Sequence, residues 1–294
     1  MNALHIIITD FNGYAQTRIC LEALRKSRYR EFNILVVDHG TTNETRDKLA
    51  VEFPEVIRLT GSADRWWAGA TNLGIRYALD RGAEAVILLN NDCYVTSDTL
   101  GTLVKLANDN PDSIIASIQR DWQSGRPISI SSRTFLLLGF PSLSGPRELT
   151  PAMENSELLA VKLIVGGRGV IIPSSVFTKI GLFDEKRLPH YGADHDFYLQ
   201  ASKRHIPLYS APRAFVEIDN TRTSLANNPG ALNFSGFLQS LHSIRSHRNL
   251  RDVTTLFKAH YPIPYLYPLG VTLYTVRYLL VYLLKRALFL SSRS

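Results

Sequence analysis

The sequence has little cysteine, no acid after Asp252 and no long apolar run free of charge. Two cysteines in 294 residues, Cys20 and Cys93, cannot build a disulfide framework or a cysteine-rich zinc site, so a reducing compartment is expected. No basic stretch precedes the apolar run Leu4–Thr9. A secretory leader is therefore not expected, and the expected location is the cytoplasm. No G-x-G-x-x-G follows that first run, and Gly166-Gly167-Arg168-Gly169 precedes a predicted strand rather than a helix. Both facts exclude a dinucleotide-binding dehydrogenase. No internal repeat is found. What is present is an ordinary globular composition, 45% hydrophobic and 20% charged, with room for one large domain or two small ones. Charge is uneven. Residues 1–241 hold 25 Lys/Arg and 25 Asp/Glu, whereas 242–294 hold eight basic residues against Asp252 and carry the whole net charge of +7. A basic nucleic-acid-binding body is excluded. A neutral body with a cationic tail remains, and such a tail calls for an anionic partner or serves solvation.

The first hundred residues alternate strand and helix. Leu4–Thr9, Phe32–Asp38, Val56–Thr60, Ala85–Asn90 and Ile114–Gln119 read as strands. Helices are expected up to about Arg25, from Thr41 to about Phe53, over Ala68–Arg81 and over Ser97–Asn108. Thr41 and Glu44 have capping-box spacing, and Gly82 suits a helix C-cap. The rhythm implies a mostly parallel sheet covered by helices, with ligands off the carboxyl ends of the strands. From about 120 to 160 the pattern weakens, with one strand expected at Thr134–Leu138. Strands at Leu163–Val165, Val170–Ile172 and Ala214–Ile218 follow, with helices at Ser174–Ile180 and Asp194–Arg204. After Asn233 the chain reads as helical.

Two such strand ends carry polar residues. Asp38 could accept hydrogen bonds from a pyrimidine or a ribose, or serve as a loop acid. Asn90-Asn91-Asp92 could hold a hard divalent cation, which prefers oxygen ligands and would neutralise a diphosphate; the same triplet also suits a plain turn. Asp194 and Asp196 stand two apart at a loop-to-helix junction, where one could act as a general base and either could cap the helix. His190 and His195 lack a third ligand for a metal site. Arg65-Trp66-Trp67-Ala68-Gly69-Ala70-Thr71-Asn72 opens a helix with small residues that permit close approach of a ligand, or with tryptophans that fill the core.

In order, these pieces resemble the inverting, metal-dependent family 2 glycosyltransferases of GT-A fold. The matching residues are Val36-Val37-Asp38-His39-Gly40-Thr41-Thr42, Trp66 to Ile75, Asn90-Asn91-Asp92, Gly181-Leu182-Phe183-Asp184-Glu185 and Gly192 to Phe197. The resemblance covers about residues 4–215. It implies an α/β GT-A domain over 1–233, with a donor half to about 119 and an acceptor half beyond. It implies Asp194 as the catalytic base and Asp92 as the ligand of Mg2+ or Mn2+. Thr9, Asp38, Trp67, Gly69, Asn72, Asn90 and Asn91 would line a UDP- or dTDP-linked sugar donor. Tyr191 and Asp196 would face the acceptor or cap the helix, and Arg248 would contact a diphosphate. Asn90 replaces the first Asp of the D-x-D-type motif, Ala193 the usual Glu and Asn43 the terminal Asp of the second motif. Ile218 stands near a metal-binding His of many members, so that ligand is absent. The implied setting is synthesis of bacterial surface polysaccharide on a glycan or polyprenyl-linked acceptor. Two other classes are weighed, a nucleotidyltransferase of similar sheet and a non-catalytic membrane-bound scaffold. The loop Asp10-Phe11-Asn12-Gly13-Tyr14 lacks the Lys or Arg expected of the first.

Residues 234–294 form a basic, amphipathic helical region. After Pro268, Leu269, Leu273, Val276, Leu280, Leu283 and Ala287 recur at spacings of four and three, with Tyr274, Tyr278, Tyr282 and Lys285 opposite. Arg277 splits the run, so neither half reaches the roughly 20 apolar residues of a spanning helix. The expected arrangement is in-plane, on the inner face of a membrane, with the tyrosines at headgroup level and Arg277, Lys285, Arg286 and Arg293 toward anionic lipid. Packing on its own domain or on a second copy is the alternative.

Overall fold

The computed structural model describes residues 4–219 and 229–291. Arg293 lies outside them. The core is a sheet whose first strands are parallel: β1 (Leu4–Asp10), β2 (Asn33–Asp38), β3 (Ile57–Thr60) and β4 (Ala85–Asn90). Side chains alternate across a strand. Ile6 and Ile8 of β1 therefore enter one core with α1 (Tyr14–Arg25) and α4 (Thr99–Asp109), while Ile7 enters the other with α3 (Trp66–Leu79). Because both faces are covered, the strands read as unbroken apolar runs. Gly74 brings α3 onto the sheet: a Cβ there would lie 2.5 Å from Ile7 Cγ2. Gly82, at φ 73°, closes α3 as expected, with the Ala83 and Gly82 N–H groups bonded to Ala78 O and Leu79 O.

The second half makes the sheet mixed. The path runs β10-β12-β6-β11-β4-β1-β2-β3, with β6 (Ile114–Asp121), β10 (Leu159–Ala160), β11 (Arg168–Pro173) and β12 (Leu208–Ile218). β11 lies antiparallel between β4 and β6. The short β5 (Cys93–Val95) and β7 (Pro127–Ser129) pair off this path, and β8 (Ser132–Phe135) with β9 (Phe140–Ser144) forms a separate hairpin. Helices α2 (Glu44–Glu52), α5 (Pro151–Asn155), α6 (Ser174–Ile180) and α7 (Ala193–Lys203) complete this part.

Several local expectations change. α2 starts at Glu44 behind Asn43, and Thr41 does not cap it. Instead Asn12, at φ 52°, accepts from the Thr41 and Thr42 N–H groups and donates to Thr41 Oγ1. Leu163–Val165 is not a strand; Leu163 makes one bridge to Ser132. The expected strand at Thr134–Leu138 ends at Phe135 and turns over Leu136–Leu138.

The C-terminal region is three helices, α8 (Phe234–Ser240), α9 (Leu250–His260) and α10 (Tyr267–Ser291). Gly270 lets α9 and α10 touch, since a Cβ there would meet Phe257 Cδ1 at 2.7 Å. The tyrosines expected at headgroup level turn inward, while the Leu/Val face points away from the body. Tyr274 and Tyr282 are buried against the body, and Leu269, Leu273, Val276, Leu280, Leu283 and Leu284 are exposed. Arg277 is turned inward over the Phe140 ring at 3.9 Å, and Arg286 donates to Gly230 O. Residues 264–289 form an unbroken helical stretch long and apolar enough, by length and composition alone, to cross a membrane. The expectation that Arg277 shortens it below that length is corrected.

Candidate active site

The site forms where β1, β2 and β4 end. Register places Asp10 beside Asp38, and Thr9 between Val37 and Asn90. Asp10, which sequence reasoning passed over, is the joint of this edge. Its buried carboxylate accepts from Gly13 N–H at 2.6 Å, Thr45 Oγ1 at 2.8 Å and Thr17 Oγ1 at 3.0 Å. Burial pushes its pKa up against those bonds. The first loop is thus fixed to α1 and α2. Asn91 adds to this, donating to Gly13 O and Thr17 Oγ1.

Asp38 is 4% exposed and takes a bond from Arg58 Nε at 2.8 Å. Its other oxygen has, among the described residues, only a long contact from Gly40 N–H at 3.3 Å. Arg58 was not singled out from the sequence, although a charge inside the apolar strand β3 is a visible signal.

Of the α3 residues expected at the donor, Trp67 donates to Asn90 Oδ1 at 2.9 Å and meets Phe183 edge-on. Asn72 is turned inward: its amide donates to Phe183 O at 2.8 Å, and its oxygen accepts from Phe183 N–H. It clasps the Gly181–Glu185 turn rather than facing a ligand. Gly69 likewise faces Arg65 and Glu185, which a Cβ would meet at 3.2 and 3.3 Å.

The glycine run rejected as a dinucleotide motif forms the wall of the site. Gly166, at φ 79°, points its N–H at Asp194 Oδ2, 2.6 Å away, and its carbonyl accepts from Tyr198. A Cβ on Gly167 would sit 2.8 Å from Trp67 Cζ2. The Asp194 side chain is 15% exposed, with His195 Nε2 at 3.9 Å from the same oxygen. Its Oδ1 makes no hydrogen bond among the described residues. Neither Asp194 nor Asp196 caps α7. Asp196 faces away from Asp194, toward α9. It is bonded to His260 and Gln200, so it neither caps the helix nor faces an acceptor.

Residues 241–249 return to this site. The His247 ring lies 6.2 Å from Tyr191 and the Arg245 guanidinium 5.9 Å from the Trp66 ring. Trp66 in turn meets His190 at 5.6 Å. Burial holds His39, His190 and His247 down at about 4; Asp38 opposes this at His39, Asp194 at His190. Burial raises Tyr191 while Arg168 and Arg248 pull it down, so both guanidinium groups act on its hydroxyl. Arg248 is buried beside Tyr278, 5.6 Å from its ring.

For a metal, no three His, Cys, Asp or Glu side chains gather among the described residues. Asp92 takes only a weak bond from the Cys93 thiol at 3.3 Å and makes no ion pair among them. Ile218 pairs with Cys93 and is buried, and Asp219 N–H bonds Asp92 O at 2.9 Å. One free carboxylate fits a hard cation that takes its other ligands from water and phosphate, not a closed protein cage.

This architecture is the GT-A fold of nucleotide-sugar transferases. Solved structures with the same fold include the mannosyltransferase PcManGT from Pyrobaculum calidifontis with GDP-Man and Mn2+ (TM-score 0.57, 15% identity, 92% of this chain and 69% of that one). GalNAc-T7 with UDP, GalNAc and Mn2+ aligns at TM-score 0.62 and 14% identity, over 74% of this chain and 44% of that one. The family model for glycosyl transferase family 2 matches residues 5–159, just over half of the sequence, and the chain belongs to that family. It is 27% identical to the dTDP-rhamnosyl transferase RfbF of Shigella flexneri over 54% of its length and 50% of the relative's. It is 24% identical to the low-salt glycan biosynthesis hexosyltransferase Agl10 of Haloferax volcanii, over 70% and 64%. The chain thus spans between half and two thirds of these curated relatives.

Proposed function

We propose that the chain is an inverting glycosyltransferase. It moves a sugar from a UDP- or dTDP-linked donor to a hydroxyl of a glycan or polyprenyl-linked acceptor, in bacterial surface-polysaccharide synthesis. The observation that carries this reading is Asp194, whose Oδ2 is fixed by Gly166 while Oδ1 stays available on the carboxyl side of the sheet. Oδ1 takes the proton of the acceptor hydroxyl. The freed oxygen forms a bond to the anomeric carbon as the bond to the diphosphate oxygen breaks, and that electron pair leaves with the nucleoside diphosphate. One displacement inverts the centre. Asp38, oriented by Arg58, meets the base, Tyr191 faces the acceptor and Arg248 contacts the diphosphate. A divalent cation held by Asp92 and the diphosphate would supply charge neutralisation for the leaving group. Likeness to a dTDP-rhamnosyl transferase and to a glycan hexosyltransferase supports a glycan product. Family membership favours sugar transfer over nucleotidyl transfer. The outward Leu/Val face of α10 supports in-plane seating on the inner face of a membrane, beside a lipid-linked acceptor.

The test is Asp194→Asn, assayed by nucleoside diphosphate release from dTDP-rhamnose, UDP-GlcNAc and GDP-mannose. Loss of a general base lowers turnover about 10²–10⁴-fold. Donor affinity stays near wild type. Undiminished turnover would place the base elsewhere.

A further inference from the structure

The geometry points to His260 as a positioning residue for Asp194, acting through Asp196; this rests on the reading of Asp194 as the base. His260 is the last residue of α9, and its Nε2 lies 2.7 Å from Asp196 Oδ1. Both side chains are 3% exposed, so little of the pair meets water. Gln200 Nε2 donates to the other Asp196 oxygen at 2.6 Å. Both oxygens of this carboxylate are therefore held, one from its own helix and one from 64 residues away.

Asp194 and Asp196 share the first turn of α7. Two residues turn an α-helix by about 200°, so their side chains leave opposite faces. Gly166 N–H grips one face through Asp194, and His260 grips the other through Asp196. The turn carrying the base is clamped from both sides. A second tie, Lys203 Nζ to Ala259 O at 2.8 Å, joins the far end of α7 to α9. α9 itself is anchored by Phe257 and Tyr261, which pack with Tyr274 of α10. The C-terminal helices thereby brace the catalytic turn.

Without His260, Asp196 is a carboxylate buried with half its partners. A buried charge that loses its partner is strongly destabilised, and the nearest relief is movement of the turn toward water. Asp194 moves with it. A displacement of about 1 Å at a reacting group costs on the order of 10²-fold in rate.

The experiment compares three variants, with nucleoside diphosphate release from the same three nucleotide-sugars and the melting temperature as readouts. His260→Ala should lower kcat about 10–100-fold with donor KM unchanged, as a misplaced base does. His260→Gln, whose amide can donate to Asp196, should recover most of that loss. Val253→Ala loosens the packing of α9 without touching the pair, and it should lower the melting temperature while leaving kcat intact. If His260→Ala keeps wild-type kcat, or if it and Val253→Ala lose kcat alike for equal loss of melting temperature, His260 is only a packing residue. Asp194→Asn separates the two ideas. An active Asp194→Asn overturns the base itself; an inactive one beside a fully active His260→Ala overturns the positioning role alone.

Discussion

Replacing Arg58 with methionine tests the proposed base end of the site through stability. Methionine keeps aliphatic bulk and removes the guanidinium. Asp38 is 4% exposed, and Arg58 supplies its short bond at 2.8 Å. The remaining contact, from Gly40, is 3.3 Å long and replaces little. A lost hydrogen bond to a charged group costs about 1.5–3 kcal/mol, and stranding a fully buried charge about 3–5 kcal/mol. The Arg58 side chain is 26% exposed, so water reaches the gap and the lower range applies. The expected loss is about 2 kcal/mol, a fall of about 3 °C in Tm for a chain of this size. Urea unfolding should show a lower midpoint at unchanged slope. The double variant Asp38→Asn/Arg58→Met removes the stranded charge. It should be more stable than the sum of the single losses by about 1 kcal/mol or more. Calorimetric titration with UDP or dTDP should show weakened binding in both single variants. A single Arg58→Met loss under about 0.5 kcal/mol, or strict additivity in the cycle, refutes the pairing argument.

Three further outcomes are expected. Asp92→Ala should abolish the enhancement of UDP or dTDP binding by Mn2+, read by calorimetry with and without the cation; equal enhancement in both proteins makes Asp92 a turn residue. Stability should fall as pH drops from about 6.5 toward 4, because His39, His190 and His247 stay neutral in the fold down to about 4 while the unfolded chain protonates near 6.5. Asp252, raised to about 6 by burial, and Asp10, raised likewise, work in the opposite direction; His190→Phe should flatten the net loss measured by thermal melts across that window. The protein should sediment with anionic liposomes, and Leu280→Glu/Leu284→Glu on the outer face of α10 should release it; a soluble dimer lost in the same variant would instead assign that face to a second copy.

The parts legible in the sequence are those whose cause is local. β1, β2 and β4 are covered on both faces, so each shows as an apolar run whatever its neighbours are. α6 ends where expected because Gly181, at φ 81°, stops it. β12 was read only from Ala214, because Pro212 and a register shift between Ala211 and Phe215 interrupt its pattern, although pairing with β6 resumes on both sides. The site depends on distant partners. Asp194 was visible as an acid at a helix start, but its fixation by Gly166 spans 28 residues and uses a backbone N–H that no motif records. Asn72 sat in a recognisable motif, yet its amide is consumed 111 residues on, at Phe183. Periodicity says that side chains share a face and is silent on what the face meets.

The tail shows that last point most plainly. Its two faces were legible, but the inward turn of the tyrosines was not. What α10 covers is not an aliphatic core but loops with carbonyls to satisfy. Tyr274 donates to His247 O at 3.1 Å and Tyr282 to Leu232 O at 3.4 Å, while their rings supply apolar area. Leucine could supply only the second. A tyrosine face is therefore the better inner face here, and the Leu/Val face is left outside. Burying one such side chain yields about 1.5–3 kcal/mol, so a row of them on one helix is a strong drive toward an apolar partner. The same helix holds His247 against Tyr191 from behind, through the Tyr274 bond and a Tyr278 ring at 5.9 Å. Whatever takes up the outer face of α10 therefore lies one helix away from Tyr191 and Arg248, the residues proposed to meet the acceptor and the diphosphate. An enzyme acting on a polyprenyl-linked acceptor needs that closeness, because the lipid cannot leave its bilayer to reach a distant site.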